Sequence, residues 1–203
     1  MENTNVLTEL GNLKDYYSHA VEEESDPEEI DKLNDLIKNT DELIADYQNY
    51  NAGLTRGKFH IVYSVLVASA VAVFQKANYH LSAELLQHAK SNDVEGSSYY
   101  PSKLNAAKIK DTSTYPKMTA TNGSIEFPKV GGNANLDCYY ALHWVDYLND
   151  WSHKTLDIKD TYDFAKQDGT DYSDFTGTAV QKMYEAQEAG VLVPYKIYIS
   201  LAK

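Results

Sequence analysis

The residues best suited to chemistry concentrate between Thr155 and Asp174, in the run TLDIKDTYDFAKQDGTDYSD. Leu156, Ile158, Tyr162 and Phe164 alternate there with polar residues, the period of a strand that buries one face. On such a strand Asp160 and Tyr162 point to one side and Asp163 to the other, unless a bulge redirects them. Two carboxylates beside a phenol form a candidate oxygen-ligand site for Mg²⁺ or Ca²⁺, and a cation held there would polarise a phosphoryl oxygen or activate water. Asp168 and Asp171 continue the acidic series, so the metal-ligand candidates are Asp160, Asp163, Asp168 and Asp171. An ordinary solvated acidic turn has the same composition, and both readings stand at this level.

A second constellation is His80-x-x-x-Glu84-x-x-x-His88. Residues four apart stack on one helix face, but the two ends lie about 12 Å apart along the axis, too far for one ion to reach both. The series therefore reads first as a polar stripe facing the rest of the protein. Cys138 is the sole cysteine, so no intrachain disulfide can form. With His143 five positions on, a nucleophilic thiol would need a pairing that the spacing does not secure, and a buried structural thiol is the better reading.

Asp160-x-Tyr162-Asp163-Phe164, following the strand residues Leu156-Asp157-Ile158, resembles the signature of the colicin M family of bacteriocin and toxin domains. The likeness covers about a quarter of the chain and leaves the N-terminal helices unexplained. It implies a metal-assisted phosphodiesterase that cleaves a lipid-linked peptidoglycan precursor, with Asp160, Tyr162 and Asp163 in the site. By the same resemblance the protein would be a bacterial toxin or effector, exported as part of a longer or separately targeted protein and countered by an immunity protein; a cytoplasmic location stays open. Where the family continues with a His-Arg pair this chain has Gly169-Thr170. The acid/base and the phosphate clamp are thereby missing. A histidine would have to come from elsewhere, and His80, His88 and His143 are the candidates, giving Asp160, Tyr162, Asp163, His143 and His88 as the catalytic set. The rival expectation is a non-enzymatic exported module that binds a protein or glycan, or calcium. Seventeen Tyr against five Phe supply the amphipathic contact area such a surface uses.

Composition narrows the classes. A net charge of -12 with no basic run excludes a binder that tracks nucleic-acid phosphates. The uncharged stretch from Ile61 to Phe74 makes about 21 Å of helix against the roughly 30 Å of a bilayer core, so no transmembrane span is expected. Met1 to Asn12 lacks a basic region followed by an apolar core, so no signal peptide is expected there.

The elements that must position these residues follow from periodicity. Leu7, Leu10, Leu13 and Tyr17 form one helical stripe and Leu33, Leu36, Ile37, Leu43, Ile44 and Tyr47 another, separated by Ser25-Asp26-Pro27, which predicts a helical hairpin. Lys58 to Asn92 reads as the central helix, with a kink or junction at Asn78. From Asp93 onward Gly and Pro punctuate shorter segments. Strands are expected at Ser124–Phe127 and Leu156–Phe164. Leu136–Tyr147 suits a buried strand or a short helix, and a strand is preferred because Leu156–Phe164 then makes its antiparallel partner across a loop at Asn149–Lys154. A helix at Thr178–Gly190 and a closing strand at Tyr195–Leu201 complete a β-β-α-β order. The predicted class is α+β: a helical lobe over residues 1–92 packed on a β-rich lobe over 93–203, with a small, mainly antiparallel sheet and one helix before its last strand, folding as one unit.

Overall fold

A computed structural model describes residues 5–51, 59–164 and 175–203. Its helices are α1 (Val6–Glu23), α2 (Pro27–Asn51), α3 (Phe59–Lys76), α4 (His80–Ser91), the short α5 (Lys103–Ala106), α6 (Asn133–Ala141) and α7 (Phe175–Glu188). Its strands are β1 (Ser98–Tyr99), β2 (Asn122–Glu126), β3 (Trp144–Asp150), β4 (Thr155–Tyr162) and β5 (Tyr195–Ala202). These five strands form a sheet in the order β1-β5-β4-β3-β2, and among the described residues only the β1–β5 pair is parallel. The protein is thus α+β, as its periodicity predicts.

Helix α2 starts where the sequence places it, with the Asp26 carboxylate accepting from the Glu28 N–H at 3.1 Å and Pro27 as the first helical residue. The α1 stripe is rotated from the expected one. Val6, Leu10, Leu13 and Tyr17 are buried while Leu7 lies at the surface, because the 3.6-residue repeat brings position 6 onto the face shared by 10, 13 and 17. Lys58 to Asn92 divides into two helices at Asn78, whose φ of +59° ends α3 while the Tyr79 N–H bonds back to the Phe74 carbonyl at 2.8 Å. Helix α3 packs against α1, α2, α4 and α7, and its buried Ala68 and Ala72 let neighbouring backbones approach.

The expected strand at Leu136–Tyr147 is corrected to a helix followed by a strand. Two polar side chains of α6, Asn135 and Asp137, tie the helix to different neighbours. Asn135 bonds to the Ser113 N–H and the Val130 carbonyl, each at 2.9 Å, and Asp137 reaches the first turn of α4. At its end His143 takes φ +48°, the left-handed position that usually belongs to glycine, and turns the chain into β3. Between β3 and β4 the Asp150 carboxylate accepts from the N–H groups of Ser152 and His153 at 2.9 and 3.1 Å, closing the turn. Gly190, with φ +70°, caps α7 while the Val191 N–H bonds the Ala186 carbonyl at 2.9 Å.

One hydrophobic core runs through both halves of the chain. Val145, Leu156, Ile158, Tyr162, Tyr195, Ile197, Ile199 and Leu201 form the sheet's inner face, and α4 lies on that side, receiving a 2.8 Å hydrogen bond from the Tyr195 hydroxyl at the Leu85 carbonyl. The alternate positions point outward. Trp144 and Leu148 stay 56% and 41% exposed there, so the outer face of β3 is open to solvent. No helix among the described residues is long and apolar enough to cross a membrane.

Candidate functional site

The open face carries a groove of about 460 Å³ lined by Trp144, Asp146, Lys159, Asp160, Thr161, Asp163, Lys196 and Tyr198. Strand register builds it. Asp146 on β3 pairs with Lys159 on β4, and Lys159 pairs in turn with Tyr198 on β5, so one rung carries an acid, a base and an aromatic ring side by side. Thr161 and Lys196 form the next rung. Trp144 precedes Asp146 by two residues and therefore shares its outward face.

The groove is held in shape from its sides. The Ser124 hydroxyl donates to Asp146, Tyr198 stacks on Tyr100 with ring centroids 5.6 Å apart, and the Lys159 ammonium lies 5.8 Å from the centre of the Tyr198 ring. Asp160 is half-buried and accepts the Thr161 N–H at 2.7 Å. Burial, with added repulsion from Asp163 and Asp146, pushes its carboxyl up to about 7. Burial also raises Asp163.

Of the catalytic set expected from the sequence, Asp160 and Asp163 border this groove and the rest do not. Tyr162 is a core residue, its ring 5.3 Å from both Phe164 and Tyr195, and burial pushes its phenol up. Period-two geometry explains this, since Tyr162 shares the inward parity of Leu156 and Ile158. Asp160 has the same parity and pairs with the buried Ile197, so it borders the groove from the inner side of β4 while Lys159 and Thr161 face outward. His143 bonds Glu126 on β2 through Nε2 at 3.1 Å. His88 is half-buried, stacked on Tyr99 at 3.7 Å and meeting Tyr195 edge-on at 4.5 Å. Asp168 and Asp171 lie outside the described residues. Among those described, no three His, Cys, Asp or Glu side chains gather to hold a metal ion. No known family profile, curated protein or solved structure matches this chain.

The His80-Glu84-His88 stripe has a buried Glu84 at its centre and a half-buried histidine at each end. Glu84 accepts four hydrogen bonds, from the Tyr99 hydroxyl at 2.8 Å and from the Ser102 N–H, Ser102 hydroxyl and Asn105 amide, each at 2.6 Å. His80 stacks on Tyr16 at 3.9 Å, and the Nε2 atoms of His80 and His88 are buried without partners among the described residues. Cys138 is buried and its thiol is pushed up by burial, which fits a structural thiol.

Burial lowers both imidazoles from 6.5 to about 4. The unfolded chain therefore binds protons that the folded one refuses, and the stability these rings contribute is complete above pH 6.5 and lost as pH falls toward 4. Glu84 and Asp160, raised by burial, act in the opposite sense and soften the loss. His88→Phe keeps an aromatic ring between Tyr99 and Tyr195 but removes the titration. From pH 7 to pH 4 the wild type should lose about 1–2 kcal/mol more than this variant in urea unfolding, the range allowing for solvent screening of a half-buried ring. Parallel pH profiles would contradict the assignment.

The groove residues that sequence reasoning missed are Trp144, Asp146, Lys159, Thr161, Lys196 and Tyr198. Their signal was present as alternation: in WVDYLND and YKIYISLA the positions between the buried residues hold Trp144 and Asp146, and Lys196 and Tyr198. What one strand's pattern lacks is the register that sets three strands side by side.

Proposed function

We propose that this protein is a non-enzymatic binding module whose recognition surface is the groove on the open face of its sheet. The observation that carries the reading is Trp144, a large aromatic residue left 56% exposed in a groove that it shares with Tyr198 and charged groups of both signs, with no histidine among the described lining residues. Exposed apolar area rimmed by polar residues is characteristic of a contact surface. A shallow site on a rigid sheet suits binding without enclosure of the ligand.

One observation favours hydrolysis instead: Asp160, held near 7 beside Asp163 and Asp146, has the ambivalent protonation of a general acid. The same experiment decides between the two readings. Incubated with lipid-linked peptidoglycan precursor and Mg²⁺ or Ca²⁺, the wild-type chain should leave the lipid–pyrophosphate bond intact by mass spectrometry. Cleavage that Asp160→Asn or Asp163→Ala abolishes would overturn the binding-module reading and restore the phosphodiesterase.

A further inference from the structure

Resting on the reading of the groove as a binding face, we propose that its ligand is a neutral glycan, with a sugar ring lying on Trp144 and hydroxyls shared between the Asp and Lys side chains. The lining argues against a ligand of a single charge sign and against an apolar one. A cation would meet Lys159 and Lys196, and an anion would meet Asp146 and Asp163. An apolar side chain would find only Trp144 and Tyr198 of the lining to cover it and would desolvate the charged groups around them without pairing them.

A sugar matches each element. Its hydroxyls donate to carboxylates and accept from ammonium groups and from the Thr161 hydroxyl, while its C–H face covers an aromatic ring. The Asp146–Lys159–Tyr198 rung offers an acceptor, a donor and an apolar plane at one level of the sheet, a sequence that a uniformly charged ligand cannot use. The supports noted above, Ser124 on Asp146 and Tyr100 on Tyr198, order these side chains before the ligand arrives, which lowers the entropic cost of binding. A volume of about 460 Å³ lies within the range of small-molecule sites and admits a short stretch of a glycan chain.

The chain has two tryptophans, so Trp151→Phe makes Trp144 the only reporter. This variant would be titrated with neutral oligosaccharides of glucose, mannose, galactose and N-acetylglucosamine, and with oligogalacturonate, oligolysine and oligoaspartate as charged comparators. Trp144 fluorescence and the ¹⁵N amide shifts of the labelled protein would be followed together. At least one neutral oligosaccharide should saturate both signals at millimolar or lower concentration, with a midpoint little changed by salt up to about 0.5 M. In the wild-type background, Trp144→Ala and Lys196→Ala should each weaken the amide response about tenfold, with the circular dichroism spectrum retained. Two failures are distinguishable. A face that responds only to a charged comparator, with a steep salt dependence, overturns the glycan and leaves the binding face standing. If no probe moves Trp144 or the amides of β3–β5, both the glycan and the reading of the groove beneath it fall.

Discussion

Glu84→Leu should lower the unfolding free energy by about 4 kcal/mol, bringing a protein of ordinary stability close to its folding threshold. Glu84 is fully buried, and the groups it serves come from the segment that joins the helices to the sheet. Removing the carboxylate strands the Tyr99 hydroxyl, the Ser102 N–H and hydroxyl, and the Asn105 amide at once. Leucine fills much of the volume, so the loss reports unpaired donors more than a cavity. Glu84→Gln should cost about half as much, because one carbonyl oxygen still accepts while its NH₂ faces the Asn105 amide. Urea unfolding followed by circular dichroism and by tryptophan fluorescence measures both. A Glu84→Leu midpoint within experimental error of the wild type would show that these donors find other partners.

Asp137→Ala should cost about 3 kcal/mol, through a different element. Tyr79, the residue preceding α4, supplies no side-chain cap. Asp137 supplies one from α6, its two carboxylate oxygens accepting from the Leu81 N–H at 3.1 Å and from the Ser82 N–H at 2.8 Å, with the Ser82 hydroxyl also donating at 2.7 Å. Anionic charge at a helix N terminus gains further from the macrodipole. Alanine leaves both N–H groups buried and unpaired and detaches α6 from α4. The milder change Asp137→Asn should cost about half as much, since one oxygen still accepts. Hydrogen exchange at Leu81 and Ser82 gives the local readout: their protection should fall in Asp137→Ala before that of the sheet. Unchanged protection at those two amides would remove the capping role.

The two effects share a cause that bears on how much of this protein was legible in its residues. Helix α4 carries apolar Leu81, Leu85, Leu86 and Ala89 in its buried set together with Ser82, Glu84 and Gln87. Spacing shows that His80, Glu84 and His88 share a face, and it argues against one ion bridging both ends. It does not show that the face is buried, because burial of a carboxylate depends on donors such as Ser102 and Asn105 that are distant in sequence and outside any periodic pattern.

The sequence by itself determined the α+β class, the helical hairpin at α1–α2 with its Asp26-Pro27 start, the break at Asn78, the strand β4, and α7 with its glycine cap before the closing strand. These features depend on hydrophobic period, capping and turn chemistry, which act within a few residues. Tertiary structure alone decided that Asn133–Ala141 is a helix, that Tyr162 belongs to the core, that His88 packs on Tyr99 and Tyr195 and His143 bonds Glu126 with neither lining the groove, and that Trp144 and Tyr198 flank one groove. Each of those outcomes is set by the partner a side chain meets across the fold: Asp137 needs the start of α4, His143 meets Glu126, and the groove exists only where three strands lie in register.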